Sequence, residues 1–144
     1  MLKRLFDILA SLIGIIILLP FFIIICLMMI VSCGFPLFYL QTRVGKNGKD
    51  FRLFKFRTMH LDADKKGLLT VGGRDPRVSN IGYYLRKYKL DELPQLFNVL
   101  LGTMSLVGPR PEVRKYVDLY TKEQQQVLSV KPGITDFASL EYIN

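Results

Sequence analysis

The sequence predicts an α+β protein, mostly helical, with a membrane segment at its N-terminus and a small basic domain behind it. Three observations predict this. Ile8 to Leu40 contains no charged residue, and 27 of its 33 positions are apolar. The 104 residues from Gln41 onward carry 18 Lys/Arg against 11 Asp/Glu, most of the chain's formal net charge of +8. Behind the apolar run, one stretch has strand periodicity and several have helix periodicity. A half-apolar composition excludes a disordered tail, and two cysteines exclude a disulfide framework.

The apolar run exceeds the roughly 20 residues that a bilayer-crossing helix needs. It is too long for the core of a signal peptide. Pro20 sits near its middle, where it has no N–H to give and clashes with the carbonyl of Ile16. That predicts a break or kink, leaving two arms too short to cross a ~30 Å core singly. Positive residues flank both ends: Lys3 and Arg4 before, and Arg43, Lys46, Lys49, Arg52, Lys55 and Arg57 after. Basic flanks mark the cytoplasmic side. A kinked single span is the commoner arrangement, and a hairpin entering and leaving by one face also fits. Cys26 and Cys33 lie two turns apart, too far for a disulfide on one helix.

Residues 38–59 predict a β-hairpin around the Gly45-Lys46-Asn47-Gly48 turn. Residues 61–78 predict a loop with a short helix near 61–66. Its acids, Asp62, Asp64 and Asp75, read as solvated. One histidine, His60, argues against a zinc site or a His-based triad. Ser79 predicts a helix cap, followed by Ile81, Tyr84, Leu85 and Tyr88 on one face. Leu90-Asp91-Glu92-Leu93-Pro94-Gln95-Leu96 predicts a short helix with Pro94 in its first turn and Gly102 as its stop. Gly102 to Pro111 predicts a loop in which Pro109 and Pro111 stiffen the backbone around Arg110. Residues 112–130 predict a helix with Val113, Tyr116, Val117 and Tyr120 on one face.

Asp91-Glu92 is the chemical question. Acids at a helix start are commonly there to complement its dipole. They can also hold a divalent cation, and a carboxylate can attack phosphorus. Arg86 and Arg110 flank the pair, and an arginine fork matches phosphate.

The ordered motifs Lys3-Arg4-Leu5-Phe6-Asp7, Gln41-Thr42-Arg43-Val44-Gly45, Lys55-Phe56-Arg57-Thr58-Met59, Asp75-Pro76-Arg77-Val78, Leu90 to Leu96, Asn98-Val99-Leu100, Met104 to Pro111 and Lys131-Pro132-Gly133-Ile134-Thr135 extend over nearly the whole chain. Together they resemble the bacterial sugar transferase family, the small monotopic phosphoglycosyl transferases. The resemblance implies transfer of a phosphosugar from a nucleotide diphosphate sugar, usually a UDP-sugar, to polyprenyl phosphate at the cytoplasmic face of the bacterial inner membrane. UMP is the implied product, and glycoconjugate assembly the implied setting. It implies Asp91 as nucleophile and carrier of Mg²⁺, with Glu92 assisting. Arg86 and Arg110 would hold phosphate, with Lys55, Arg57 and Gln95 lining the site.

It also implies a re-entrant membrane helix over 1–40 broken at Pro20, and a cytosolic catalytic domain over 41–144, shortened at its C-terminal side. Expected partners are the nucleotide sugar, polyprenyl phosphate and membrane lipid. Nucleic acid is not expected, and a homodimer stays open at this level. A second class fits the same charge pattern: a catalytically inactive membrane-anchored module that binds anionic lipid or a protein partner.

Overall fold

The computed structural model describes residues 2–61 and 75–136. Asp62, Asp64 and the helix expected near 61–66 fall largely outside them. The chain begins with helix α1, Leu2–Cys33. It leaves α1 through Gly34 and enters an antiparallel hairpin, β1 (Phe38–Val44) and β2 (Asp50–Phe56). Phe38 faces Phe56 across the ladder, and Val44 faces Asp50. The turn is the expected one, with Asn47 and Gly48 both at positive φ. Beyond it come α2 (Asn80–Lys87), a single 3-10 turn at Leu90–Glu92 and α3 (Gln95–Leu101). The last elements are β3 (Ser105–Val107), the one-turn α4 (Arg114–Val117), a 3-10 segment over Gln124–Ser129 and β4 (Gly133–Thr135).

The interruption expected at Pro20 is absent: α1 stays helical through it. Proline forfeits one backbone bond and crowds one carbonyl, which a helix can absorb by bending without ending. By length and composition α1 can cross a membrane. Its apolar side chains are mostly bare, among them Ile16, Ile17, Phe21, Ile24, Leu27 and Val31. A narrower stripe, Phe22, Ile25 and Met29, is buried against Phe56 and Leu85. Phe22 also meets Phe97 edge-on at 5.8 Å. Burying one such phenylalanine contributes roughly 2 kcal/mol. A second small core joins Leu53, Val99 and Met104. Both cysteines are free thiols.

Both ends of α1 are tied to the same domain. At its start, Lys3 Nζ donates to the carbonyl of Val107 (3.0 Å), and the Arg4 guanidinium donates to the carbonyls of Val99 and Leu100. The Val99 and Leu100 carbonyls lie in the last turn of α3, where a cation is favoured. Buried Asp7 accepts from Ser105 Oγ (2.9 Å) and from the Leu106 N–H (3.2 Å). At the far end, Arg57 Nη2 donates to the carbonyl of Cys33 (2.6 Å). The domain boundary expected after Leu40 falls inside β1, which pairs from Phe38 onward.

Three further expectations change. The helix expected over 112–130 is reduced to one turn and a 3-10 segment. Thr121 and Gln124 exchange side-chain and backbone bonds, a local cap that starts a new turn and interrupts the old one. On α2, Leu85 is buried and Ile81 packs beside it, while Tyr84 and Tyr88 stand exposed. The stretch read as a loop from Gly102 to Pro111 contains β3, paired in parallel with β4.

Candidate active site

Asp91 and Glu92 lie in the 3-10 turn between α2 and α3, one step earlier than the helix start expected for them. The turn is entered through Lys89, a non-glycine residue at φ 55. That left-handed conformation costs a side-chain-bearing residue of order 1 kcal/mol. It redirects the chain so that Glu92 meets Lys55 of the hairpin. Pro94 then precedes α3, and Gly102 ends it at φ 90, as the sequence predicts.

Glu92 Oε1 takes two charge-assisted bonds, from Lys55 Nζ of β2 (2.8 Å) and from Arg110 Nη2 (2.9 Å). Burial alone would raise the Glu92 carboxyl, but the bond and charge of Lys55 and the charge of Arg110 outweigh it. Glu92 is held below the ordinary glutamate range. Asp91 is also buried, and no ion pair among the described residues includes it. Its carboxyl is pushed up by burial and by neighbouring Glu92, with Lys55 and Arg86 opposing.

Each cation is held by a local device. Arg86 rides on the last turn of α2, and its Nε donates to Thr58 Oγ1 (2.8 Å). Ser79 caps α2 as expected, accepting from the Gly82 N–H at 3.0 Å. Arg110 follows the β3–β4 pair, where two backbones nearly touch: a Cβ on Gly133 would lie 2.1 Å from the Gly108 nitrogen. Pro109 accepts from the Gly133 N–H at 2.9 Å, so the loop carrying Arg110 is fixed from below.

Lys55, Glu92, Gln95 and Arg110 line one small pocket together with Arg43, Leu53, Pro111, Gly133 and Ile134. Arg43 is the residue that sequence reasoning missed as a site member. In the sequence it reads only as part of the Gln41 to Gly45 motif and of the basic flank behind the apolar run. Its guanidinium donates to Gln41 Oε1 (2.9 Å) and to the carbonyl of Pro111 (2.9 Å).

Arg57, expected beside the substrate, is not brought to this pocket. Its guanidinium donates to the carbonyls of Cys33, Gly34 and Phe35. Pro20 likewise belongs to α1. Asp75 is engaged by Arg77, whose side-chain and backbone bonds lower its pKa to about 2. Among the described residues no group of three or more His, Cys, Asp or Glu side chains is disposed to hold a metal. A cation here would have Asp91 and phosphate oxygens as donors, a set that suits Mg²⁺.

A long, bare apolar helix on a small domain, with an acid pair beside several cations, defines the class: a chain with a helix of membrane-crossing length and a cation-rich acidic site. Comparison makes the class specific. The model of the family described as bacterial sugar transferase matches residues 1–144. The chain belongs to that family. It is 45% identical over 121 residues to a Bacillus subtilis (strain 168) protein provisionally named an undecaprenyl-phosphate N-acetylgalactosaminyl 1-phosphate transferase, covering 84% of this chain and 68% of that one. It is 40% identical over 141 residues to the UDP-N-acetylgalactosamine-undecaprenyl-phosphate N-acetylgalactosaminephosphotransferase of Aeromonas hydrophila, covering 96% of this chain and 33% of that one. It is 39% identical over 145 residues to the undecaprenyl-phosphate glucose phosphotransferase of Komagataeibacter xylinus, covering 96% of this chain and 27% of that one. The chain therefore spans about a third or less of those last two relatives.

Proposed function

We propose that the chain transfers a phosphosugar from a nucleotide diphosphate sugar, a UDP-sugar, to polyprenyl phosphate, in the first step of glycoconjugate assembly. The observation that carries the reading is the contrast within one acid pair. Glu92 is bound to two cations, while Asp91, one residue away, is desolvated and has no ion-pair partner among the described residues. A desolvated, unpaired carboxylate is the better nucleophile of the two.

An Asp91 carboxylate oxygen attacks the sugar-bearing phosphorus. The bond from that phosphorus to the bridging oxygen breaks, and UMP leaves with the electron pair. An oxygen of the lipid phosphate then attacks the same phosphorus and releases Asp91. Arg86 and Arg110 offset the charge that gathers on the phosphoryl oxygens. Glu92 keeps Lys55 and Arg110 in place between turnovers. Asp91 would also hold Mg²⁺, which screens charge on the diphosphate when bound.

The same reading seats α1 in the cytoplasmic leaflet as a re-entrant helix bent at Pro20. Its two ends, tied through Arg4 and Asp7 at one and Cys33 at the other to one domain, support that arrangement. The undecaprenyl-phosphate names of the relatives support the acceptor.

Asp91→Asn tests the proposal. It is expected to lower UMP release from a UDP-sugar by at least roughly 1000-fold and to remove the covalent sugar–phosphate adduct seen by intact mass. Parent-like turnover in that variant would exclude Asp91 as nucleophile.

A further inference from the structure

Four consecutive residues at the end of β2 each grip a different part of the molecule. Lys55 holds Glu92 (2.8 Å). Phe56, 1% exposed, packs its ring 5.7 Å from Phe22 of α1. The Arg57 guanidinium donates to the carbonyls of Cys33, Gly34 and Phe35 at 2.6, 2.9 and 3.1 Å, and its backbone N–H donates to the carbonyl of Leu37. Thr58 accepts from Arg86 Nε through its hydroxyl and from the Ser79 N–H through its carbonyl.

Arg57 is buried, and no ion pair among the described residues includes it. Its charge is met by carbonyls at the C-terminal end of α1, where the helix dipole presents its negative pole. Reaching three successive carbonyls takes a rigid planar fork, which a lysine ammonium lacks. The buried Nε finds no acceptor. A buried donor without an acceptor is unfavourable, so the position is held against a penalty.

We infer that Arg57 is a positioning residue that fixes where α1 ends relative to the Asp91–Glu92 pair. Lys55 and Thr58 lie on either side of Arg57 and Phe56 in one extended stretch. A shift of the α1 end therefore moves the partner of Glu92 and the partner of Arg86 together. The clamp itself stands on geometry alone, and its effect on turnover rests on the phosphotransfer reading above.

The test uses the full chain in vesicles of phosphatidylethanolamine and phosphatidylglycerol, with Cys26→Ser so that Cys33 is the single thiol. Arg57→Met is expected to speed alkylation of Cys33 by N-ethylmaleimide about tenfold, because the end of α1 opens locally. It is also expected to lower kcat of UMP release by about 10- to 100-fold while KM for the nucleotide sugar stays within about twofold. Arg57→Lys, which keeps the charge and loses the fork, is expected to recover part of both effects in parallel. Parent-like alkylation overturns the clamp. A raised KM with unchanged kcat also overturns the inference, because it marks Arg57 as a direct phosphate contact. Far-UV circular dichroism checks folding; if Arg57→Met does not fold, Arg57→Lys decides by the same two readouts. If the parent shows no turnover, the functional reading fails, and the Cys33 rates alone decide the clamp.

Discussion

Burial acts on Asp91 and Glu92 alike, yet their proton affinities move in opposite directions, because only Glu92 is bonded to Lys55 and Arg110. The consequences for stability have opposite signs. Glu92, with its folded pKa lowered, contributes stability above its unfolded value, and that contribution is lost as pH falls through the folded one. Asp91, with its folded pKa raised, costs stability once pH has climbed past its unfolded value. Asp91→Asn should therefore melt higher than the parent at pH 7 while being inactive, and lose that advantage as the pH is lowered; scanning calorimetry across pH checks both. Lys55→Met should destabilise by about 2 kcal/mol at pH 7, since it removes the stronger partner of a buried carboxylate. The cost should shrink as pH falls and Glu92 takes up its proton, so that parent and variant converge on the acid side, as a denaturant series at several pH values would show. The sequence grouped Lys55, Glu92, Gln95 and Arg110, and one pocket brings these four together; Asp91 and Arg86, grouped with them, are not among its lining residues. Arg57 was misplaced there because a cation gripping carbonyls and a cation gripping phosphate look the same in one dimension.

Among the elements, the hairpin and the capped α2 were legible because turn and cap chemistry is local: Asn47-Gly48 makes the turn, and Ser79 bonds Gly82 three residues on. The β3–β4 pair was not. It is short and parallel, and it joins residues nearly thirty apart through two glycines whose fit only the partner backbone explains. The long helix expected over 112–130 failed because periodicity could not register the competing cap at Thr121. Helix α2 supplies a sharp test of packing against propensity. An exposed helical Gly→Ala change usually gains about 1 kcal/mol. At Gly82 the new Cβ would lie 2.1 Å from the Thr58 carbonyl oxygen and 2.8 Å from Ser79 Oγ. Gly82→Ala should instead destabilise by about 2 kcal/mol, measured by denaturant unfolding, and push α2 and its Arg86 away from Thr58.

At the scale of the molecule, the apolar run was legible as a membrane segment, and its tethering was not, because Arg4, Asp7 and Arg57 act on residues far along the chain. If both ends of α1 meet the membrane surface beside one domain, single cysteines replacing Leu2 and Lys46, with Cys26 and Cys33 changed to Ser, should be labelled from the same side of oriented vesicles. Labelling from opposite sides would establish a span and remove the re-entrant seat from the proposal. The bond between Asp7 and Ser105 bridges 98 positions of sequence. During synthesis the first of these residues leaves the ribosome long before the second, and the stripe of Phe22, Ile25 and Met29 is likewise made before Phe56 and Leu85, which bury it. The docking of α1 is thus a late event, completed only when the far end of the domain has been made.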